Sequence, residues 1–336
     1  MAQFVQFALT RALMAIVTLL TVSLIVFTLM EMVPGTCAER YLAFKNTQGA
    51  QITVDDIKAE ERRLGLDRPF IVRWGSWVGN VMLRGEFGDS CILRLNINQL
   101  LGDKFLVSLA ICLTSLLFAY LIAVPVGIIA AASKSAWLNG SLRFLSYLGL
   151  AMPNFLLALM IMLFSTIYFG DSLTGLFSKE YRDAEWSAAK LWDFLSRAWL
   201  PVFILGWSAT AFALQTVRAL MLDEIGKLYV TAASARGIMG RKLLWRYPAR
   251  HALGPIVNSL GFDLNRIFNE LPIVALILTL TESGALLLES LARSNDQQLA
   301  GAIIFLLTAS IVFLNFVTDV GLAIFDPRVR KSVMGG

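Results

Sequence analysis

Six mostly apolar stretches, each near or above the length that crosses a bilayer, dictate what this 336-residue chain can become. They cover residues 12–30, 105–132, 142–169, 198–222, 255–280 and 299–325. A helix of about 20 apolar residues spans the hydrocarbon core, where no water is present to satisfy a backbone N–H or C=O left unpaired. The expected fold is an all-α membrane protein with six transmembrane helices. The first stretch is longer than the roughly 7–15 apolar residues of a secretory signal and no A-x-A-like cleavage site follows, so it is expected to be retained. Composition agrees: 57% of residues are apolar and 16% charged, against about 25% charged in soluble domains.

Charge bias sets the orientation. Between the fourth and fifth spans lie Arg218, Lys227, Arg236, Arg241, Lys242, Arg246 and Arg250 against Asp223 and Glu224, and the tail adds Arg328, Arg330 and Lys331. The loop between the fifth and sixth spans holds Glu282, Glu289 and Asp296 against Arg293. Both termini are therefore expected inside. This divides the chain into an N-terminal transmembrane helix (1–32), an outside subdomain (33–103), a core of five spans (104–325) with an inside loop at 223–254, and an inside tail (326–336).

In the outside subdomain, Thr53 is placed to cap a helix over residues 54–64, with Asp55 and Asp56 in its first turn. Trp74, Trp77 and Val78 make an apolar face expected to rest on the membrane interface. Cys37 and Cys91 both fall in this oxidising location, whereas Cys112 lies in a span, so a Cys37–Cys91 disulfide is expected, two free thiols being the alternative. Pro125 and Pro153 sit inside the second and third spans, where a simple kink is expected of each.

The composition excludes several chemistries. A lone His251 supplies neither a histidine metal site nor a Ser/His/Asp triad, and the three cysteines lack metal-site spacing. No phosphate-cradling G-x-x-x-x-G-K-[ST] occurs, so the chain is not expected to hydrolyse a nucleotide itself. A net charge of +5 is accounted for by inside loops, and no nucleic-acid partner is expected.

Two segments remain for function. The inside loop contains YVTAASARGIMGRKLLWRYPARHALGP over residues 229–255, read as a short helix, a glycine break and a basic amphipathic helix lying on the membrane lipid. Small residues at Ala232, Ala233 and Ala235, ahead of Arg236 and Gly237, allow another protein to approach closely. In the fifth span, Asp263, Arg266 and Glu270 share one helix face, with Asn258, Asn265 and Asn269 beside it. Ionisable groups at membrane depth face a bundle interior or an aqueous path, so this face either holds an internal ion pair of Arg266 with Asp263 or Glu270, or lines a solute route. Asp319 is expected at the interface, next to the basic tail.

These segments resemble the membrane subunits of binding-protein-dependent ABC importers, in particular the first-subunit type of the dipeptide/oligopeptide/nickel branch. GEFGDS at 85–90 stands where a G-D-[LF]-G-x-S pattern is usual, YVTAASARG at 229–237 followed by Pro255 is similar to the inside motif, and FDPRVR at 325–330 matches a terminal D-P-R-x-[RK]. Two places depart from the pattern: Thr231 stands where the broader family often has Glu, and residues 278–290 lack the usual Pro-Gly-Leu-Gly.

The resemblance implies the type I ABC importer permease fold and an alternating-access mechanism in a bacterial inner membrane. It also implies a coupling role for Thr231, Ala232, Ala233, Ala235, Arg236 and Gly237. A solute path along Asp263, Arg266, Asn269 and Glu270 would then serve peptides or peptide-like solutes. The partners it implies are a second, paralogous permease, two cytoplasmic ATPase subunits that hold ATP and Mg, and a periplasmic substrate-binding protein, with no cofactor in this chain. The alternatives are a nickel chelate, opine or oligosaccharide as solute, a proton-coupled secondary transporter using Glu270, or a scaffold whose basic loop binds anionic lipid.

Overall fold

The computed structural model describes residues 2–49, 51–170, 174–178, 180–181, 184–280, 286–287, 290 and 296–325. The expected tail charges Arg328, Arg330 and Lys331, and Glu282, Glu289 and Arg293, lie outside the described residues. Twelve helices follow one another among the described residues: α1 (Ala2–Met32), α2 (Cys37–Thr47), α3 (Val54–Leu64), α4 (Phe70–Arg84), α5 (Ile97–Ala132), α6 (Ala136–Ala151), α7 (Asn154–Phe169), α8 (Ala188–Ile225), α9 (Leu228–Ala235), α10 (Gly240–Arg246), α11 (Pro248–Ile277) and α12 (Gln297–Phe325). A single antiparallel bridge, Asp89 to Asn96, is the one extended pairing among them.

Residues 4–32, 97–132, 188–225 and 297–321 form helices long and apolar enough to cross a membrane. The third expected span differs from a kinked helix: α6 and α7 meet at 96°. Pro153 has no N–H to donate and its ring clashes with the preceding turn, so Met152 is extended (φ −95°, ψ 114°) and α7 starts afresh at Asn154. Pro125, by contrast, leaves its own stretch of α5 helical; the one non-helical residue of α5 is Gly102 (φ 38°, ψ −129°), far from it. At the fifth expected span stands the 30-residue α11, which is not among the helices apolar enough to cross by composition. The chain is thus all-α and spans the membrane, with four helices apolar enough to cross it, the bent pair α6 and α7 at the third expected span and the more polar α11 at the fifth.

The compact units cut across the linear division drawn from the sequence. One comprises Met1–Ala8, Leu109–Leu280 and Leu314–Gly336, the other Leu9–Ser108 and Thr281–Phe313. The second unit thus joins the outside subdomain to most of α1 and more than half of α12. Aromatic rings tie its core together. Trp77 on α4 packs edge-on against Phe305 of α12 (5.6 Å between ring centres), and Phe27 of α1 packs against both Phe70 and Trp77. Trp74 donates its Nε1–H to Ser23 Oγ (3.3 Å). The Trp74, Trp77 and Val78 face expected on the membrane interface is therefore turned into the protein, because α1 and α12 offer it a drier and closer-packed surface. Arg73 adds a forked ion pair to Glu31 of α1 (2.7 and 2.5 Å).

Local signals place the short helices. Thr53 caps α3 and Asp56 answers it in a capping box, as Thr36 and Glu39 do for α2. Cys37 opens α2 and is bonded to Cys91, with Cα atoms 5.4 Å apart and a separation of 54 residues. By loop-closure entropy such a bond is worth about 4 kcal/mol. Intact mass under non-reducing conditions is expected to be lighter by two hydrogens than after reduction, and Cys37→Ala to lower the thermal stability of the detergent-purified chain.

Glu60 of α3 accepts both Arg63 (fork, 3.0 and 2.9 Å) and Arg94, whose guanidinium lies over Tyr41 at 3.9 Å. Burial alone would raise the Glu60 carboxyl, but the two arginines hold it below its ordinary value of 4.5. A depressed folded value means stabilisation that is present above the ordinary value and is lost as pH falls through the lowered one. Acid-induced melting of the purified chain should accordingly be blunted in Arg94→Gln, which starts from lower stability at neutral pH.

In the first unit, α8 packs on α5, α6, α7 and α11. Small residues permit this in a membrane, where close van der Waals contact replaces the hydrophobic drive. Gly127 of α5 is one such point: a Cβ there would meet Val217 of α8 at 2.8 Å. Further along, Ile128, Val217, Met221, Ala249, Ala252 and Ile256 form one buried cluster that fixes where α11 leaves the inside loop.

Candidate functional site

Two features of the first unit carry the candidate chemistry. The first is the inside loop. Glu224, near the end of α8, pairs with Lys227 and accepts the Tyr229 hydroxyl (2.5 Å), and the Tyr229 ring stands edge-on to His251 of α11 (5.1 Å). These contacts pin the start of α9 to the helices on either side of it.

The end of α9 is closed by a Schellman motif. Ile238 N–H donates to Ala233 O (3.2 Å) and Gly237 N–H to Ser234 O (2.9 Å), with Gly237 at φ +84°, a left-handed conformation that costs glycine little. Beyond it, α10 exposes Arg241, Lys242, Trp245 and Arg246 and half-buries Leu243 and Leu244, the division expected of a helix on a membrane surface.

Residues Thr231, Ala232, Ala235, Arg236 and Gly237 are exposed together on this short helix and its cap. Ala233 is not among them. It is 5% exposed and turned inward with Val230, so it offers no open surface of its own on this helix. Beyond Leu228 and Tyr229 the helix carries mostly small residues, and only its fit against the rest of the unit decides which alanine faces out.

The second feature is the polar face of α11. Asp263 is 1% exposed, and its Oδ2 accepts the hydroxyls of Tyr120 on α5 and Ser259 (3.4 Å). Glu270 accepts the amide of Asn154, which also reaches Leu205 O (3.3 Å) and Ser208 Oγ (3.2 Å) of α8. Arg266 lies over the Phe212 ring, 5.1 Å from its centre, and its Nε and Nη2 are buried with no hydrogen-bond partner among the described residues. The internal ion pair considered from spacing is therefore not formed: both carboxylates turn to donors on other helices. Asn269 is exposed and donates to Asn265 Oδ1 (3.3 Å), and the side chain of Asn258 lies outside the described residues.

Tyr120 and Asn154 were not singled out from the sequence. Each is a polar group inside an otherwise apolar span, and Asn154 directly follows the proline that breaks its span. That is the signal by which both are recognisable.

Residues 123–331 match the family described as binding-protein-dependent transport system inner membrane component, and residues 4–123 match its N-terminal region. The chain belongs to this family. The permease is 26% identical to the oligopeptide transport system permease protein AppB of Bacillus subtilis, covering 95% of this chain and 98% of that one. It is 25% identical to the glutathione transport system permease protein GsiC of Salmonella typhi (96% and 98%) and 24% identical to the nickel import system permease protein NikB of Staphylococcus aureus (96% and 91%).

Among solved structures, a chain of the MetNI methionine ABC transporter in an inward-facing conformation matches the fold with a TM-score of 0.52 at 16% identity, covering 70% of this permease and 96% of that chain. The permease is accordingly a multi-pass inner-membrane subunit of an ABC importer and not itself an enzyme, and an ATPase and a substrate-binding protein complete its system.

Proposed function

We propose that this permease carries peptides or peptide-like solutes inward by alternating access. It would do so paired with a second, paralogous permease and with two ATPase subunits that bind ATP and Mg. The observation that carries the solute class is the near-full-length similarity to relatives named for oligopeptides and glutathione. The relative named for nickel supports a second reading, a nickel chelate carried by the same machinery.

In this reading Thr231, Ala232, Ala235, Arg236 and Gly237 form the surface against which an ATPase closes, and Ala233 braces it from within. The path runs along Asp263, Arg266, Asn269 and Glu270. ATP-driven closure moves the inside loops together and reopens the spans outward. Purification from native membranes in mild detergent tests the assembly: a second permease and Walker-motif ATPases should accompany the wild-type chain. Reconstituted with the binding protein, that complex should take up a radiolabelled tripeptide on addition of ATP. Uptake by this chain alone, driven by a pH gradient, would replace the importer reading with a proton-coupled one.

A further inference from the structure

Several buried polar atoms along α8 and α11 lack a hydrogen-bond partner among the described residues: Arg266 Nε and Nη2, Asp263 Oδ1 and Gln215 Nε2. Buried polar groups are nearly always satisfied, so a group of unsatisfied ones marks a place where something else binds. Contacts between the two helices set their register. Asn154 bridges Leu205 and Ser208 to Glu270, Phe212 lies under Arg266, and Val217 and Met221 share a cluster with Ala249, Ala252 and Ile256. The helices are therefore antiparallel, and Gln215 falls at the level between Arg266 and Ile256, which is that of Asp263.

The edge of Arg266 left open is specific. Nε and one terminal nitrogen of a guanidinium form a side-on fork that fits the two oxygens of one carboxylate. Arg63 binds Glu60 in this molecule through the same pair, at 3.0 and 2.9 Å. At Arg266 the guanidinium carbon lies 5.1 Å from the centre of the Phe212 ring, and the Nε–Nη2 edge is left unpaired among the described residues. The carboxylates three and four residues away on α11 accept from Tyr120, Ser259 and Asn154 instead.

We propose that Arg266 is a solute-carboxylate anchor in the membrane interior, with Gln215 as an accessory donor. The carried solute then bears a free carboxylate, as a peptide C-terminus does. This rests on the reading of α11 as the solute path. Asp263 and Glu270 on either side select against phosphate and other multivalent anions, which two neighbouring carboxylates repel, and Asp263 Oδ1 is an open acceptor for an amino or amide N–H of the same solute.

The test is equilibrium binding of tritiated trialanine and of trialanine C-terminal amide to the purified complex of permeases and ATPases, with the binding protein left out so that its own selectivity does not enter. Wild type should prefer the acid by roughly tenfold or more, the worth of a forked charge-assisted pair. Arg266→Gln should abolish the preference. Arg266→Lys, which keeps the charge and loses the fork, should reduce it and carries the test if the glutamine variant does not assemble. Equal binding of acid and amide by wild type, or a preference unchanged in the variants, overturns the anchor while leaving the peptide reading intact. If wild type binds neither, the peptide reading fails, and the proposal with it.

Discussion

Ala232→Arg is expected to abolish ATP-driven uptake while leaving the chain in the membrane and bound to its permease partner. Ala232 is exposed on α9, an eight-residue helix whose outer surface offers only Leu228, Thr231, Ala232 and Ala235 before the cap. A surface this small and smooth lets a partner come to backbone distance, and an arginine side chain there fills that distance. Overpacking costs about 1–3 kcal/mol even where a core can relax, and a docked helix has less room to do so. The ATPases co-purifying with Ala232→Arg should therefore fall roughly tenfold or more.

Ala235→Arg, also outward, should do the same. Ala233→Arg would lose the ATPases for a different reason: the side chain has to enter the interior beside Val230, so α9 is displaced and the loop becomes sensitive to limited proteolysis. Retention of ATPases and uptake by Ala232→Arg would remove α9 from the coupling surface.

The contrast between Ala232 and Ala233 shows what the sequence carried and what it did not. Apolar length and charge bias suffice for the spans and their orientation, because the bilayer constrains every residue of a span in the same way. The cap of α3 at Thr53 and the turn at Gly237 were legible too, since both are set within five residues. Pro153 and Pro125 look alike in sequence, yet one breaks its span by 96° and the other leaves its own stretch helical. That outcome depends on which neighbours can repair the freed backbone.

On α11, spacing alone pairs Arg266 with Asp263 or Glu270. Tyr120 lies 143 positions from Asp263 and Asn154 lies 116 from Glu270, and these distant donors take the carboxylates instead. Local periodicity found the polar face, and only tertiary packing shows which of its groups remain unsatisfied.

Asp296 is the strongest case of a role that sequence hides, and Asp296→Ala is expected to destabilise the outside unit by about 3–5 kcal/mol. Read from composition, Asp296 was one more negative charge in an outside loop. In the structure it is 1% exposed and organises two segments at once. As the N-cap of α12 it accepts Leu299 N–H (3.1 Å), and from more than 200 residues away it also accepts Cys91 N–H (3.2 Å), Ile92 N–H (3.4 Å) and the Ser90 hydroxyl.

No cation neutralises Asp296 among these partners. Its charge is held by backbone donors and by the positive end of α12. Truncation to alanine removes one helix cap and leaves several buried N–H groups unpaired, a larger loss than the sum of surface contacts of the same number. Asp296→Asn keeps an acceptor but brings an NH2 group against donors, so its loss should be intermediate. Hydrogen exchange at the amides of Cys91, Ile92 and Leu299 reads the effect directly: all three should speed up together in Asp296→Ala, with a lower melting temperature. Protection retained at Cys91 and Ile92 would mean that the disulfide to Cys37 alone fixes this loop, and that Asp296 serves only α12.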